Sequence, residues 1–216
     1  MELPLFPLNS VLFPGATLPL HIFEERYKQM MKHCLETDSP FGVVLIRSGD
    51  EVGETADPFE VGTTARLVRV QHLDEGRMNV VCVGERRFRV TRKLSETPYL
   101  VAEVEPLESS DAEGEDVSDL ADTVAALFGE YFRLYLAVSH QWTRQIGLPR
   151  SADELADFVA SRLGVSVWMK QRLLEELSVR RRLETEMETL GDAIREITPK
   201  VDAARAQRWR VLGAMN

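Results

Sequence analysis

The chain has 216 residues, 44% apolar and 28% charged, with a formal net charge of −9; it is long enough for one large or two small domains, and its composition is ordinary for a water-soluble fold. The acidic excess argues against a general affinity for nucleic acid or anionic membrane, since both surfaces repel the chain as a whole. Cys34 and Cys82 lack C-x-x-C spacing, which excludes a disulfide framework and a cysteine-rich zinc site and suits a reducing compartment.

The opening runs Leu3-Pro-Leu-Phe-Pro-Leu8, Val11-Leu-Phe-Pro-Gly15 and Pro19-Leu-His-Ile-Phe-Glu-Glu-Arg-Tyr27. It is apolar and carries Pro4, Pro7, Pro14 and Pro19. Each proline lacks a backbone N–H and clashes with a preceding helical turn, so two short strands joined by a Pro14-Gly15 turn are predicted, then a helix from about Phe23. The stretch has no basic n-region, its prolines interrupt any helical h-region, and no run of about 18 apolar residues occurs anywhere in the chain. A cytoplasmic protein is therefore expected.

Phe23 to Leu35 reads as an amphipathic helix, with Phe23, Tyr27, Met30, Met31 and Cys34 or Leu35 at three- and four-residue spacing. Thr37-Asp-Ser-Pro40 ends it. Phe41 to Ile46 is of buried-strand type, and a loop follows from Arg47 to Glu60. From Val61 the period is two: Leu67, Val68 and Val70 lead into a hairpin turn at Leu73-Asp-Glu-Gly-Arg77, and Met78 to Val83 returns antiparallel. Gly84 bends the chain, Phe88 and Val90 alternate with Arg87 and Arg89, and Tyr99 to Val104 adds a strand. Strands this short and close together favour a small, mostly antiparallel barrel.

The segments Leu3-Pro-Leu-Phe-Pro-Leu8, Pro19-Leu-His-Ile-Phe-Glu24, Phe41-Gly-Val-Val-Leu-Ile46, Val61-Gly-Thr-Thr-Ala-Arg-Leu-Val68, Val83-Gly-Glu-Arg-Arg-Phe-Arg-Val90 and Pro98-Tyr-Leu-Val-Ala-Glu-Val104 stand in one order. In that order they resemble the N-terminal, substrate-binding domain of the Lon protease family over residues 1 to 106, with a looser helical match to about Leu190. The chain looks most like versions of that domain found without the protease. The resemblance implies a PUA-like barrel, a polypeptide-binding role, and no ATPase or Ser-Lys protease module. One departure is Glu25, where relatives often carry Pro.

Glu108 to Asp122 holds seven acidic side chains and no basic one, which reads as a solvated linker and domain boundary. Beyond it the pattern is helical. Val117, Leu120, Val124, Leu127, Phe128, Tyr131, Leu134, Tyr135 and Val138 form an apolar stripe. Ser151 and Glu154 form a capping box for a helix carrying Leu155, Phe158, Val159 and Leu163. Gly164 stops that helix, and Ser166 is placed to cap a third with Leu173, Leu174 and Leu177. In a fourth, from Val179, Leu183, Met187, Leu190, Ile194 and Ile197 make a short heptad seam that reads as bundle packing. Pro199 is expected to break or restart it.

Enzyme signatures are absent: there is no phosphate-cradling G-x-x-x-x-G-K-[ST], no G-x-S-x-G, no H-E-x-x-H and no G-x-G-x-x-G. His33 is next to Cys34 in sequence but points about 100° away from it on a helix, so it is poorly placed as a base. His21, His72 and His140 lack ligand spacing. Arg86, Arg87, Arg89, Arg92 and Lys93 form a cationic run, but strand alternation makes it a solvated face pairing with carboxylates, with no aromatic on that face to stack a base.

The expected fold is α+β: a PUA-like barrel over 1–107, an acidic linker over 108–122 and a helical bundle over 123–216. The expected function is non-catalytic binding of unfolded or apolar polypeptide segments, with no cofactor, no metal, no catalytic residue and no membrane partner; RNA binding through the strand from Arg86 to Lys93 is a lesser alternative. An adaptor or regulator that assembles with a protease or with itself through the terminal helix is the alternative. Candidate binding residues are Phe13, Pro14, His21, Phe23, Glu24, Arg26 and Tyr27.

Overall fold

A computed structural model describes residues 1–49, 56–139 and 147–213. Its strands are β1 (Glu2–Leu8), β2 (Thr17–Ile22), β3 (Phe41–Ser48), β4 (Asp57–His72), β5 (Met78–Ser95) and β6 (Val101–Pro106); its helices are α1 (Glu25–Thr37), α2 (Glu115–Ser139), α3 (Ala152–Arg162), α4 (Val167–Glu175) and α5 (Val179–Gly213). By contact, Met1–Ser110 groups with Ala160–Leu177 in one compact unit, and Asp111–Val159 with the residues from Ser178 on in another. All of 123–216 was expected in one bundle. Instead α4 belongs with the strands, and α2 begins at Glu115, inside the acidic stretch read as a linker.

In the first unit the strands lie in the order β2-β5-β4-β3-β1-β6, and β6 also pairs with β5, so the sheet closes on itself. The pairings are antiparallel except β1 with β3, where Leu5 lies opposite Gly42. Closure depends on the length of β5: its first half pairs with β2, its second half with β6, and β4 pairs with it from Met78 to Arg89. The sequence reading cut β5 in two at Gly84. The strand continues because glycine is needed there for close approach, not for a break: a Cβ at Gly84 would sit 2.3 Å from the Phe13 carbonyl oxygen. The Gly84 N–H donates to the Ala16 carbonyl at 2.9 Å, and its carbonyl accepts from the Gly15 N–H at 2.8 Å. Gly15 itself turns the chain at φ 73°.

Within the opening, β1 is buried on both faces, as its unbroken apolar run requires. Leu3 and Leu5 pack with Val44, Phe88, Leu100, Ala102 and Val104. The alternate residues Phe6 and Leu8 join the cluster of Ile22, Tyr27, Met30, Met31 and Cys34, bringing α1 down onto the sheet. Its predicted inner positions are buried except the ends, Phe23 and Leu35, which are exposed. The loop expected from Arg47 to Glu60 is shorter, because β3 runs to Ser48 and β4 starts at Asp57; its residues 50–55 lie outside the described ones.

Arg87 corrects the reading of the cationic run. It is only 4% exposed, and its Nε donates to the Leu174 carbonyl at 3.0 Å. A register irregularity in the β4–β5 ladder between Thr63 and Ala65 interrupts simple alternation, and α4 covers that side, where Gln171 Nε2 donates to the Val61 carbonyl at 3.0 Å. The outer cations do pair as expected: Arg89 with Glu105, Arg92 with Glu103, Lys93 with Asp57.

In the second unit the stripe on α2 buries Val117, Val124, Phe128 and Tyr131 and leaves Tyr135 and Val138 exposed. Ser151 accepts from the Glu154 N–H at the start of α3, and Ser166 from the Met169 N–H at the start of α4, which in the first unit begins where the sequence placed it. The seam on α5 buries Leu183 and Leu190. Pro199 does not break α5, which continues through it to Gly213.

Burial pushes the Cys82 thiol from its ordinary 9.0 up to about 11, and Cys34 is raised in the same direction for the same reason. The thiolate is the reactive form. Native protein is therefore expected to resist alkylation at neutral pH, with both thiols labelled once urea unfolds it. Because the folded state holds its thiol protons longer, stability should be intact below pH 9 and fall between about 9 and 11. Urea midpoints across that range check the sign.

Candidate functional site

β2 runs into α1 through Phe23 and Glu24. Glu24 is extended at φ −74°, ψ 138°, and its carbonyl accepts from the Tyr27 and Lys28 N–H groups, so it starts the helix with its backbone. Its side chain accepts from Arg26 Nε at 3.1 Å, and the Arg26 guanidinium lies 4.5 Å from the centroid of the Tyr27 ring. Tyr27 in turn packs on Phe6, with ring centroids 4.1 Å apart. On β2, His21 Nδ1 is 2.8 Å from Asn79 Oδ1, and the imidazole stacks on the Phe23 ring at 5.9 Å.

These residues border a cavity of about 250 Å³ lined by Phe6, Leu8, Pro19, Leu20, His21, Ile22, Phe23, Glu24 and Tyr27. Four predicted residues, His21, Phe23, Glu24 and Tyr27, meet in its lining. Arg26 reaches it through Glu24 and Tyr27. Phe13 and Pro14 are not in the lining: Phe13 is 0% exposed and cannot serve as a docking surface. Leu12 and Phe13 are instead held down, with Thr63 Oγ1 donating to the Leu12 carbonyl at 2.6 Å.

Sequence reasoning missed Phe6, Leu8, Pro19, Leu20 and Ile22. All five lie in the apolar opening, whose continuity was their one available signal. The Phe23 ring, 47% exposed, stands at the rim.

Most of the side chains around the groove are apolar, and of these Phe6, Leu8, Ile22 and Tyr27 are themselves buried. The groove's one carboxylate is held by Arg26, and its imidazole faces a neutral amide. No group of three His, Cys, Asp or Glu side chains able to hold a metal ion occurs among the described residues; His140 lies outside them. A second hollow, of about 430 Å³, is lined in part by Arg66, Arg86 and Arg87. There Arg66 is already paired with Glu85 at 2.7 Å, and that carboxylate holds its guanidinium above the usual value.

A closed, mixed sheet with α1 on one side defines an α+β domain. The chain belongs to the ATP-dependent protease La (LON) substrate-binding domain family, whose model matches residues 2–192. It is 31% identical to Lon protease 2 of Myxococcus xanthus over 207 residues, which cover 94% of this chain and 25% of that protein. It is also 31% identical to the Lon protease of Anaeromyxobacter dehalogenans, with the same coverage. The chain thus spans about a quarter of the length of the curated relatives it matches, in the part that is neither the ATPase nor the protease module. Among solved structures, it resembles a Lon N-terminal domain protein from Xanthomonas campestris, with a TM-score of 0.63 and 33% identity, covering 86% of this chain and 96% of that one. The N-terminal domain of a Mycobacterium avium complex Lon protease shares the fold, with a TM-score of 0.61 at 18% identity, covering 89% and 99%.

Among the described residues, no helix is long and apolar enough to cross a membrane.

Proposed function

We propose that this chain is a non-catalytic polypeptide-binding module, which takes apolar segments of unfolded proteins into the groove between β2, β1 and α1, in the cytoplasm and in the service of protein quality control. The observation that carries this reading is an aromatic-rimmed apolar groove in a domain of the substrate-binding family. Two or three apolar side chains buried there contribute about 1.5–3 kcal/mol each, offset by about 0.5–1.5 kcal/mol per side chain ordered. Micromolar or weaker affinity follows, which suits transient capture. The alternative, assembly through the terminal helix, draws less support, because Leu183 and Leu190 of the seam are buried within the helices of their own unit.

Phe23 is the best probe, since it is exposed and packs mainly on His21. Phe23→Ala is expected to weaken binding of a fluorescent unfolded reporter about tenfold, roughly 1.4 kcal/mol, and to move stability by no more than about 0.5 kcal/mol. Anisotropy titration paired with urea unfolding measures both. Equal affinity of the variant and the parent chain would remove the rim from the site.

A further inference from the structure

Among the described residues β2 has one neighbour in the sheet, β5. The Gly84 N–H donates to the Ala16 carbonyl, and the register then runs Thr17 opposite Val83, Leu18 opposite Cys82, through to Ile22 opposite Met78. In an antiparallel ladder, alternate residues turn both backbone groups toward the partner strand. Counting from Ala16, the groups of Leu18, Leu20 and Ile22 face β5, and those of Thr17, Pro19 and His21 face away. Pro19 therefore takes an outward position, where its missing N–H breaks no ladder bond. The side chains of Thr17, Pro19 and His21, which share one face of β2, are all exposed.

The groove is lined by the consecutive residues Pro19 to Phe23 and by no residue of β5. It thus lies along this open edge.

Resting on the polypeptide-binding reading above, we propose that the captured segment binds as an added β-strand on the outer edge of β2, with alternate apolar side chains in the groove. Thr17 to His21 spans about 13 Å at about 3.3 Å per residue, room for roughly five residues of extended chain. Their backbone meets three carbonyls, of Thr17, Pro19 and His21, but only two N–H groups. An edge with surplus acceptors, on a chain of net charge −9, complements a segment flanked by Lys or Arg and disfavours an acidic one. Main-chain bonds make the capture tolerant of sequence, and the groove restricts it to segments with apolar side chains at every second position.

The test uses the full chain and an unfolded ten-residue peptide with alternating Leu and Val between lysine flanks. Amide hydrogen exchange is followed at Thr17 and His21, with Leu18 and Leu20, already facing β5, as internal controls. The proposal expects saturating peptide to slow exchange at Thr17 and His21 at least tenfold and to leave the controls unchanged. It also expects an isomer N-methylated on the peptide face that meets β2 to bind at least tenfold more weakly than one methylated on the other face. Binding without protection, or equal affinity of the two isomers, overturns strand addition and leaves the groove reading intact. No binding of any peptide overturns both. Protection that appears without peptide and vanishes on dilution identifies a second copy of this chain as the occupant, which also overturns the proposal.

Discussion

Arg182→Met is expected to destabilise the second unit by about 3–5 kcal/mol, the usual cost of breaking a buried ion pair by removing one partner; of its two partner carboxylates, Asp157 is buried and Asp153 partly exposed. The Arg182 side chain is fully buried on α5. Its Nη1 donates to Asp157 at 2.6 Å and its Nη2 to Asp153 at 2.5 Å, both on α3. Glu186, one turn further along α5, is also fully buried. Methionine fills similar volume, so the loss measures charge and not packing. Two companions separate the causes. Arg182→Lys retains the charge but not the planar fork, and should lose less than the Met variant. The deficit of Arg182→Met should also shrink at acid pH, where protonation discharges the stranded carboxylates. Urea unfolding followed by helical circular dichroism measures all three; a deficit that is small and pH-independent would mean the cluster adds little to stability.

Phe13→Ala is expected to cost about 3–5 kcal/mol, the range for truncating a buried Phe, with no loss of affinity beyond that due to unfolding. The side chain is fully buried, and the backbone behind it rests on Gly84 at a distance that admits no Cβ. As a docking residue, Phe13 would show the reverse, weaker binding at unchanged stability. Urea midpoints and a peptide titration on the same sample distinguish the two roles.

Much of this was legible in the sequence because the period of the apolar residues is a local property. The α1 stripe of Tyr27, Met30, Met31 and Cys34, the Ser151 and Ser166 caps and the hairpin at Leu73 to Arg77 need only their neighbours. The prolines of the opening excluded a helix, and its unbroken apolar run matches a strand buried on both faces.

What was misread depends on contacts distant in sequence. Arg87 has the strand alternation of a solvated side chain, yet α4, some 85 residues later, lies over it. Phe13 and Phe23 look alike as aromatics of the apolar opening, but Phe13 is fully buried behind the backbone that packs on Gly84 of β5, whereas Phe23 is exposed and stacks on His21. Pro199 was expected to break or restart the helix, yet α5 runs through it. The groove itself was visible only in part, since Phe6 and Leu8 come from a strand that does not pair with β2.

The most direct test of capture in the groove is a backbone amide shift map of the full chain titrated with an unfolded apolar peptide. Shifts confined to Phe6, Leu8 and the segment from Thr17 to Tyr27, saturating at micromolar to millimolar peptide, are the predicted result. Shifts centred on Arg86 to Lys93 or on α5, or no shifts at all, would contradict it.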